Sequence, residues 1–367
     1  MHPTLSAVLD RLVVCLSSRR RLTVAVLALA HALLVLNAFA EARGPSFDFD
    51  RYYEIAASPG RPYVDFHVEH APLTYLTFRT LATSLGSPLG FRYGVVTLNT
   101  VAHATTIAAL AVGFGWVGAV AYAIMGLPVF GLVLGRIDMW PTAAATLGVV
   151  AWRRARPSQA AVWFVIGSAF KLWPAIFGTW LLVPEHRRPR IAPLAAMAGT
   201  AIVIGAWWGS IAGTSGLHDV LSFRGAQHWQ VESTIGSLVR LWPSTPAATL
   251  ESGAWRAGAM PPGASTALFL LAVPWCFWTL WRAHAQARFG AGWIAAIGGL
   301  LLSSALFSAQ YILWLLPGAA IAFVERDDVP SIGVALAVGL TATFMPAYAF
   351  IEAGTPYGIG LVVARNL

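Results

Sequence analysis

Long apolar runs alternate with short polar breaks along most of the chain. Residues 22–40 form one unbroken run, and 191–213, 263–281 and 331–350 form others of the length that crosses a bilayer as a helix. Two longer runs carry a polar interruption: Lys171-Leu172-Trp173-Pro174 within 157–184, and Ser308-Ala309-Gln310-Tyr311 within 290–324. Arginines stand at both ends of each, so each reads as two short helices, up and back, with the polar residues at the turn. The stretch 114–134, broken at Gly126 and Pro128, reads as re-entrant or as two half-helices, with an inward span over 138–152 after it. An even number of crossings is expected between Arg92 and Arg153. The pattern predicts an all-α, polytopic membrane protein of roughly ten to twelve transmembrane helices, some short or re-entrant, forming a single domain over 1–367. Two polar loops interrupt it, 41–70 and 214–262. Pro243, Pro246, Pro261 and Pro262 mark the second as non-helical or as short pieces.

Composition sharpens that reading. The chain of 367 residues is 57% hydrophobic and only 11% charged, too few charges to cover a soluble protein of this size. A soluble enzyme, a disordered chain and a nucleic-acid-binding module are excluded. The net charge of +8 belongs to topology, because Arg19 to Arg21, Arg153/Arg154/Arg156, Arg187/Arg188/Arg190, Arg282 and Arg288 lie between apolar spans. The positive-inside rule puts them in the cytoplasm, and both polar loops then face the extracytoplasmic side of the cytoplasmic membrane. Ala38-Phe39-Ala40 has the look of a signal-peptidase site, but the run before it is long for a cleaved leader. Cys15 and Cys276 predict neither a disulfide nor a zinc site.

Candidate chemistry concentrates on the outer face. Segment 41–70 holds six of the sixteen acidic residues, among them Asp48, Asp50, Asp65 and Glu69. In this topology Asp48, Asp138, Lys171, Glu232 and Gln310 share one face although far apart in sequence. A charge at the bilayer centre costs roughly 2.5–3.5 kcal/mol, so such residues persist where they build a site. Lys171 is the only lysine in the chain. It reads either as a snorkelling helix-end residue or as a compact cation that grips phosphate or carboxylate. A carboxylate such as Asp48 is either an ordinary loop residue or a general base. His67 and His70, three apart, would share a face of a helix, but lack a third ligand and predict no metal. No nucleophile elbow or Walker loop is present.

The order of motifs resembles the bacterial polyprenyl-phosphate-mannose-dependent mannosyltransferases of the C-type (GT-C) superfamily, nearest the phosphatidylinositol-mannoside mannosyltransferases of actinobacteria. Asp48-x-x-x-Tyr52-Tyr53, then Gly60-Arg61-Pro62-Tyr63-Val64-Asp65-Phe66 with Glu69, is similar to the family's first-loop signature. Gly135-Arg136-Ile137-Asp138 resembles G-Q-x-D, and Phe170-Lys171-Leu172-Trp173-Pro174 resembles L-K-x-x-P. Gln230-Val231-Glu232-Ser233 resembles Q-x-E-S. Ser308-Ala309-Gln310-Tyr311, with Trp314 and Pro317, resembles S-P-Q-Y-x-x-W-x-x-P. His70-Ala71, Arg136 and Ala309 depart from the pattern, which bears on acceptor and sugar identity. The resemblance implies a GT-C-like bundle and an inverting transfer of a sugar, most plainly mannose, from a polyprenyl-phosphate donor to a lipid or glycan acceptor. It implies Asp48 as general base, with Asp50 as the fallback. A phosphate leaving group needs positive charge, which Lys171, Arg136 and Arg224 would supply. Tyr52, Asp65, His67, Glu69, His70, Asp138, His228, Gln230, Glu232 and Gln310 are candidate substrate contacts; no cofactor or metal is expected. Two alternatives stay open. A polyprenyl-phosphate arabinofuranosyltransferase keeps the chemistry and changes the sugar. A lipid-linked sugar flippase or transporter would want its polar residues at midplane and in repeats.

Overall fold

Several helices in this chain start at a hydroxyl that accepts a first-turn N–H, or at a proline that has no N–H to leave unpaired. The computed structural model describes residues 19–44, 46–182, 191–213, 216, 226–242, 244–251 and 253–367. In order, α1 is Arg20–Glu41, α2 Phe47–Ala57, α3 Pro72–Leu85, α4 Pro88–Gly126, α5 Phe130–Gly135, α6 Met139–Arg153 and α7 Pro157–Phe170. A 3-10 segment Trp173–Leu182 precedes α8, Ile191–Ala212. Strand β1 (His228–Gln230), α9 (Thr234–Val239), β2 (Thr249–Glu251) and β3 (Ala254–Ala259) follow. Then come α10 (Ala264–Gln286), α11 (Phe289–Ser303), a 3-10 segment Ala309–Trp314, α12 (Leu316–Val324), α13 (Asp328–Phe344), α14 (Tyr348–Glu352) and α15 (Pro356–Asn366). Pro72, Pro88, Pro157 and Pro356 each open a helix, and Ser46, Ser87, Ser233 and Thr355 accept a first-turn N–H. The architecture is helical, with one small exception to the all-α expectation. The second polar loop folds a three-stranded antiparallel sheet in the order β1-β3-β2.

This is a membrane protein. Four stretches among the described residues are long and apolar enough to cross a bilayer: Arg20–Glu41, Pro88–Gly135, Ile191–Ala212 and Ala264–Gln286. The remaining apolar helices are shorter, so full-length helices do not reach the ten to twelve crossings expected. The reason is local: the expected runs are broken by Lys171, by Ser304 to Ser308 and by Gly115 into pieces that pack as antiparallel pairs. Helices α1, α8 and α10 leave Leu29, Leu36, Ile202, Val203, Leu270 and Leu271 more than half exposed, which suits lipid contact.

Both interrupted runs double back. Residues 157–182 turn at Lys171, with Phe164 against Phe177 and Trp180, as expected; residues 290–324 turn at 304–308, just before the expected 308–311, which opens the returning arm as a 3-10 segment. The third region differs. Gly126 and Pro128 do not break the chain's direction; Gly115 does, with φ +79°, a conformation suited to glycine. Helix α4 therefore doubles back on itself. Asn99 Nδ2 donates to Leu134 O at 2.6 Å, and the His103 and Tyr122 rings lie 5.3 Å apart. The even count between Arg92 and Arg153 also fails. Arg92 donates to Gly44 O and pairs with Asp50, so it sits with the first polar loop, away from the other arginine turns. Helices α2 and α3 pack on each other there, through Tyr52 stacked on Phe78 at 4.8 Å. An arginine at a helix start does not report the side of the membrane when a carboxylate of the neighbouring loop claims it.

The other described basic turns gather at the opposite end. Arg20 lies over Trp116 at 5.2 Å, Arg153 over Phe114 at 4.3 Å, and Arg288 forms a two-point pair with Asp327. Between the ends runs an aromatic core. Trp173 stacks on Trp314 at 5.2 Å and Phe177 lies 4.8 Å from Trp293. The indoles of Trp180 and Trp293 donate to Leu280 O and Trp314 O at 2.9 and 2.7 Å. Cys276 is a buried free thiol bonded to Ala296 O; Cys15 lies outside the described residues, as do Arg187, Arg188 and Arg190.

Helices α11 and α12 touch backbone to backbone at Gly290. A Cβ there would meet Ala322 N at 2.1 Å and Gly318 O at 2.7 Å. Gly290→Ala is expected to cost roughly 1–3 kcal/mol by overpacking, read as a lower unfolding temperature of the purified protein. An unchanged temperature would mean that the two helices do not approach this closely.

Candidate active site

The site begins with the first turn of α2. Ser46 accepts from Phe49 N, and Asp48 and Asp50 stand in that turn, where the helix dipole favours negative charge. The two aspartates then diverge. Asp50 accepts from Ser46 N at 3.3 Å and pairs with Arg92. It closes the cap and ties the loop to α4. Asp48 lines a cavity of about 390 Å³ together with Glu41, Ser46, Val96, Pro128, Arg136 and Met345. Its partner is Arg136, and both side chains keep about a quarter of their surface exposed, 25% and 24%.

Arg136 follows α5 in extended backbone and is the electrostatic centre of the group. Besides Asp48, its charge acts on Tyr52, Asp138, Lys171, Glu232 and Tyr348. Two residues on, Asp138 is buried, 1% exposed. Its Oδ1 accepts from Lys171 Nζ at 2.6 Å and from Trp314 Nε1 at 2.7 Å. Lys171 ends α7, since its extended backbone and the nearby Pro174 stop the helix. The ammonium also lies over the rings of Tyr311 and Trp314, at 4.4 and 5.0 Å. Lys171 therefore does not snorkel toward water; it turns inward to a buried carboxylate. Two opposite-charge pairs, Asp48–Arg136 and Asp138–Lys171, are thus brought side by side from α2, α5–α6 and α7.

A second polar group adjoins them. Glu232 is buried, accepts from Tyr348 Oη at 2.8 Å, and faces Arg365 Nη1 at 3.9 Å. Burial pushes the Glu232 carboxyl above its usual range. Arg365 also donates to Glu232 O and Phe307 O. Gln230 is bonded to Ser308 Oγ and Phe307 N, both at 2.7 Å, so it fixes the turn of the second hairpin. Gln310, half-buried, neighbours Tyr311, and makes no side-chain hydrogen bond among the described residues.

The other candidates are placed as follows. Tyr52 is buried beside Phe78 and the His70 ring. Glu69 receives a bidentate pair from Arg51 at 2.8 Å, and His70 Nε2 lies 3.6 Å from it. Segment 61–70 is not helical, so His67 and His70 do not share a helix face; His67 is exposed and His70 is half-buried. Asp65 accepts from Arg61 N at 2.7 Å and shapes the turn after Gly60. That turn holds Tyr63 at φ +65°, a strained value kept by its buried ring and by its hydroxyl bonded to His70 O at 2.7 Å. His228 pairs with Glu251 at 2.9 Å in the small sheet. Burial opposes the charge of Glu251, but the Gln227 N–H and His228 outweigh it and hold the carboxyl low. Arg224 lies outside the described residues.

Three members of the group are not among the candidate site residues: Trp314, Tyr348 and Arg365. Trp314 has a signal, its place in the motif that begins at Ser308, but no role attaches to it there. Arg365 has one too, a charge closing the apolar run Gly358 to Ala364.

Compared with known protein families, the sequence matches none. No characterised protein matches it either.

Proposed function

We propose that the protein transfers a sugar, most plainly mannose, from a polyprenyl-phosphate donor to a lipid or glycan acceptor at the outer face of the cytoplasmic membrane. The observation that carries this reading is the Asp48–Arg136 pair on a cavity wall beside the buried Asp138–Lys171 pair. Base and cations stand together, and the arginine turns lie at the far end, where the positive-inside rule puts the cytosol. On this reading the short antiparallel pairs also cross the bilayer, and the bundle reaches the ten to twelve spans of a GT-C-like fold.

In the reaction, the acceptor oxygen attacks the anomeric carbon while its proton passes to a carboxylate oxygen of Asp48. The bond from that carbon to the phosphate oxygen breaks, its electron pair leaves with the phosphate, and configuration inverts. Arg136 and Lys171 stabilise the charge that develops on the leaving phosphate. The ion pair sets the order of events. While Arg136 holds Asp48 the carboxylate is a poor base, and a donor phosphate that draws the guanidinium to itself frees it.

The test uses full-length protein in proteoliposomes with polyprenyl-phosphate mannose, the arabinofuranose analogue and a panel of lipid and glycan acceptors. Label moving from donor to acceptor, with mannose preferred, is the expected result. Transfer from the arabinofuranose donor alone would change the sugar. Donor that crosses sealed vesicles uncleaved, with no transfer to any acceptor, would replace the transferase by a flippase.

A further inference from the structure

A second cavity, of about 280 Å³, lies deeper between α1 and the doubled-back α4–α5 unit. Its wall is almost wholly apolar, with Leu27, Val35, Ile107 and Phe130 among the lining residues, but it also holds His31 and His103. The two imidazoles stack, 5.2 Å apart and 17° from parallel, and His103 is 4% exposed.

Their bonding leaves Nε2 of each ring bare. His31 Nδ1 faces Leu27 O at 2.7 Å; a carbonyl only accepts, so Nδ1 carries the proton. His103 Nδ1 faces Tyr122 Oη at 3.1 Å, and the one hydroxyl proton goes to this nitrogen rather than to the weaker acceptor Met139 Sδ at 3.8 Å, so His103 Nδ1 accepts. Nε2 is then an unprotonated acceptor in His31 and an N–H donor in His103. Neither Nε2 has a hydrogen-bond partner among the described residues. An unpaired polar atom at membrane depth is costly, and an acceptor and a donor on one cavity point to an occupant that both donates and accepts.

The occupant's chemistry follows by elimination. A plain hydrocarbon chain would leave both nitrogens unpaired. A single metal ion needs lone pairs that converge, whereas stacked rings hold theirs side by side. No group of three metal-ligating side chains exists among the described residues. A hydroxyl on an apolar body meets the requirement. The cavity's shape agrees: from Val24 to Val35 it follows about 16 Å of helix, so its volume makes a slot one chain wide.

We propose that this slot binds a single-chain membrane alcohol, its hydroxyl donating to His31 Nε2 and accepting from the His103 Nε2–H, and its chain running along α1. The proposal stands apart from the transferase reading, since it uses none of the groups around Asp48.

The test places full-length protein in nanodiscs with a diazirine-bearing farnesol, or with its methyl ether, which keeps the chain and lacks the donor. After photolysis, labelled peptides are mapped. The alcohol is expected to label the peptides around His31 and His103 about two- to tenfold more than the ether, the factor that one ordinary hydrogen bond gives. His31→Phe should remove that preference. His103→Phe, which takes away the N–H from which alcohol and ether oxygens can both accept, should lower labelling by both, so a folding failure of either variant leaves the question answerable. Equal labelling by alcohol and ether, labelling confined to other helices, or one bound zinc ion per chain that is lost in His31→Phe would each overturn the proposal.

Discussion

Asp48→Asn is expected to reduce sugar transfer by about 10²–10⁴-fold while the protein inserts and folds as before. Asparagine keeps the size and hydrogen-bonding capacity of the side chain but cannot take a proton from the acceptor hydroxyl. The loss should fall on kcat rather than on donor binding, because Arg136 remains and is freed from its partner. Stability should change little, since both members of the pair are partly exposed. Asp50→Asn is the informative contrast. Asp50 caps α2 and pairs with Arg92, so its loss should lower the unfolding temperature and spare the chemistry. Both variants are read by initial rates in proteoliposomes alongside thermal unfolding. Near wild-type rates for Asp48→Asn would remove that residue from the mechanism, and a selective rate loss in Asp50→Asn would pass the role to its neighbour.

Lys171→Ala is expected to be the most destabilising single change around the site. It leaves the carboxylate of Asp138, 1% exposed, with Trp314 Nε1 as its one remaining side-chain donor among the described residues. Breaking a buried pair from one side costs about 3–5 kcal/mol, and the lower end applies because Lys171 retains 25% exposure. Asp138→Asn in the same chain removes the stranded charge and should restore much of the loss. The four proteins of that cycle give the coupling energy directly from chemical or thermal unfolding. A single variant as stable as wild type, with no coupling, would mean that the ammonium reaches water and the pair carries no structural load. The restored double variant also separates folding from chemistry. If it folds well yet uses the lipid-phosphate donor poorly, the cation acts on the phosphate. If it uses the donor normally, the pair is structural.

Much of the architecture was readable in one dimension. Arginine clusters and apolar length are local signals, and they placed the turn of 157–182 at Lys171 and that of 290–324 within a few residues, at 304–308. The same logic failed at Arg92, because a charge rule counts side chains without knowing which carboxylate sits opposite. It also chose Gly126 and Pro128 as the break when Gly115 made it. Glycine and proline both permit a turn, and packing of Asn99 and His103 against the returning strand of helix selects the place.

By itself the sequence determined the lipid-embedded class, the helical content, the two polar loops, and a short set of charged residues too costly to keep without a use. Only the tertiary structure decided the partners: Asp48 with Arg136, Asp138 with both Lys171 and Trp314, His31 stacked on His103. Solvation cost and helix length depend on a residue and its near neighbours, so they can be read along a chain. A hydrogen bond or an ion pair depends on where two helices cross, and Trp314 meets Asp138 across 176 positions that no local pattern connects.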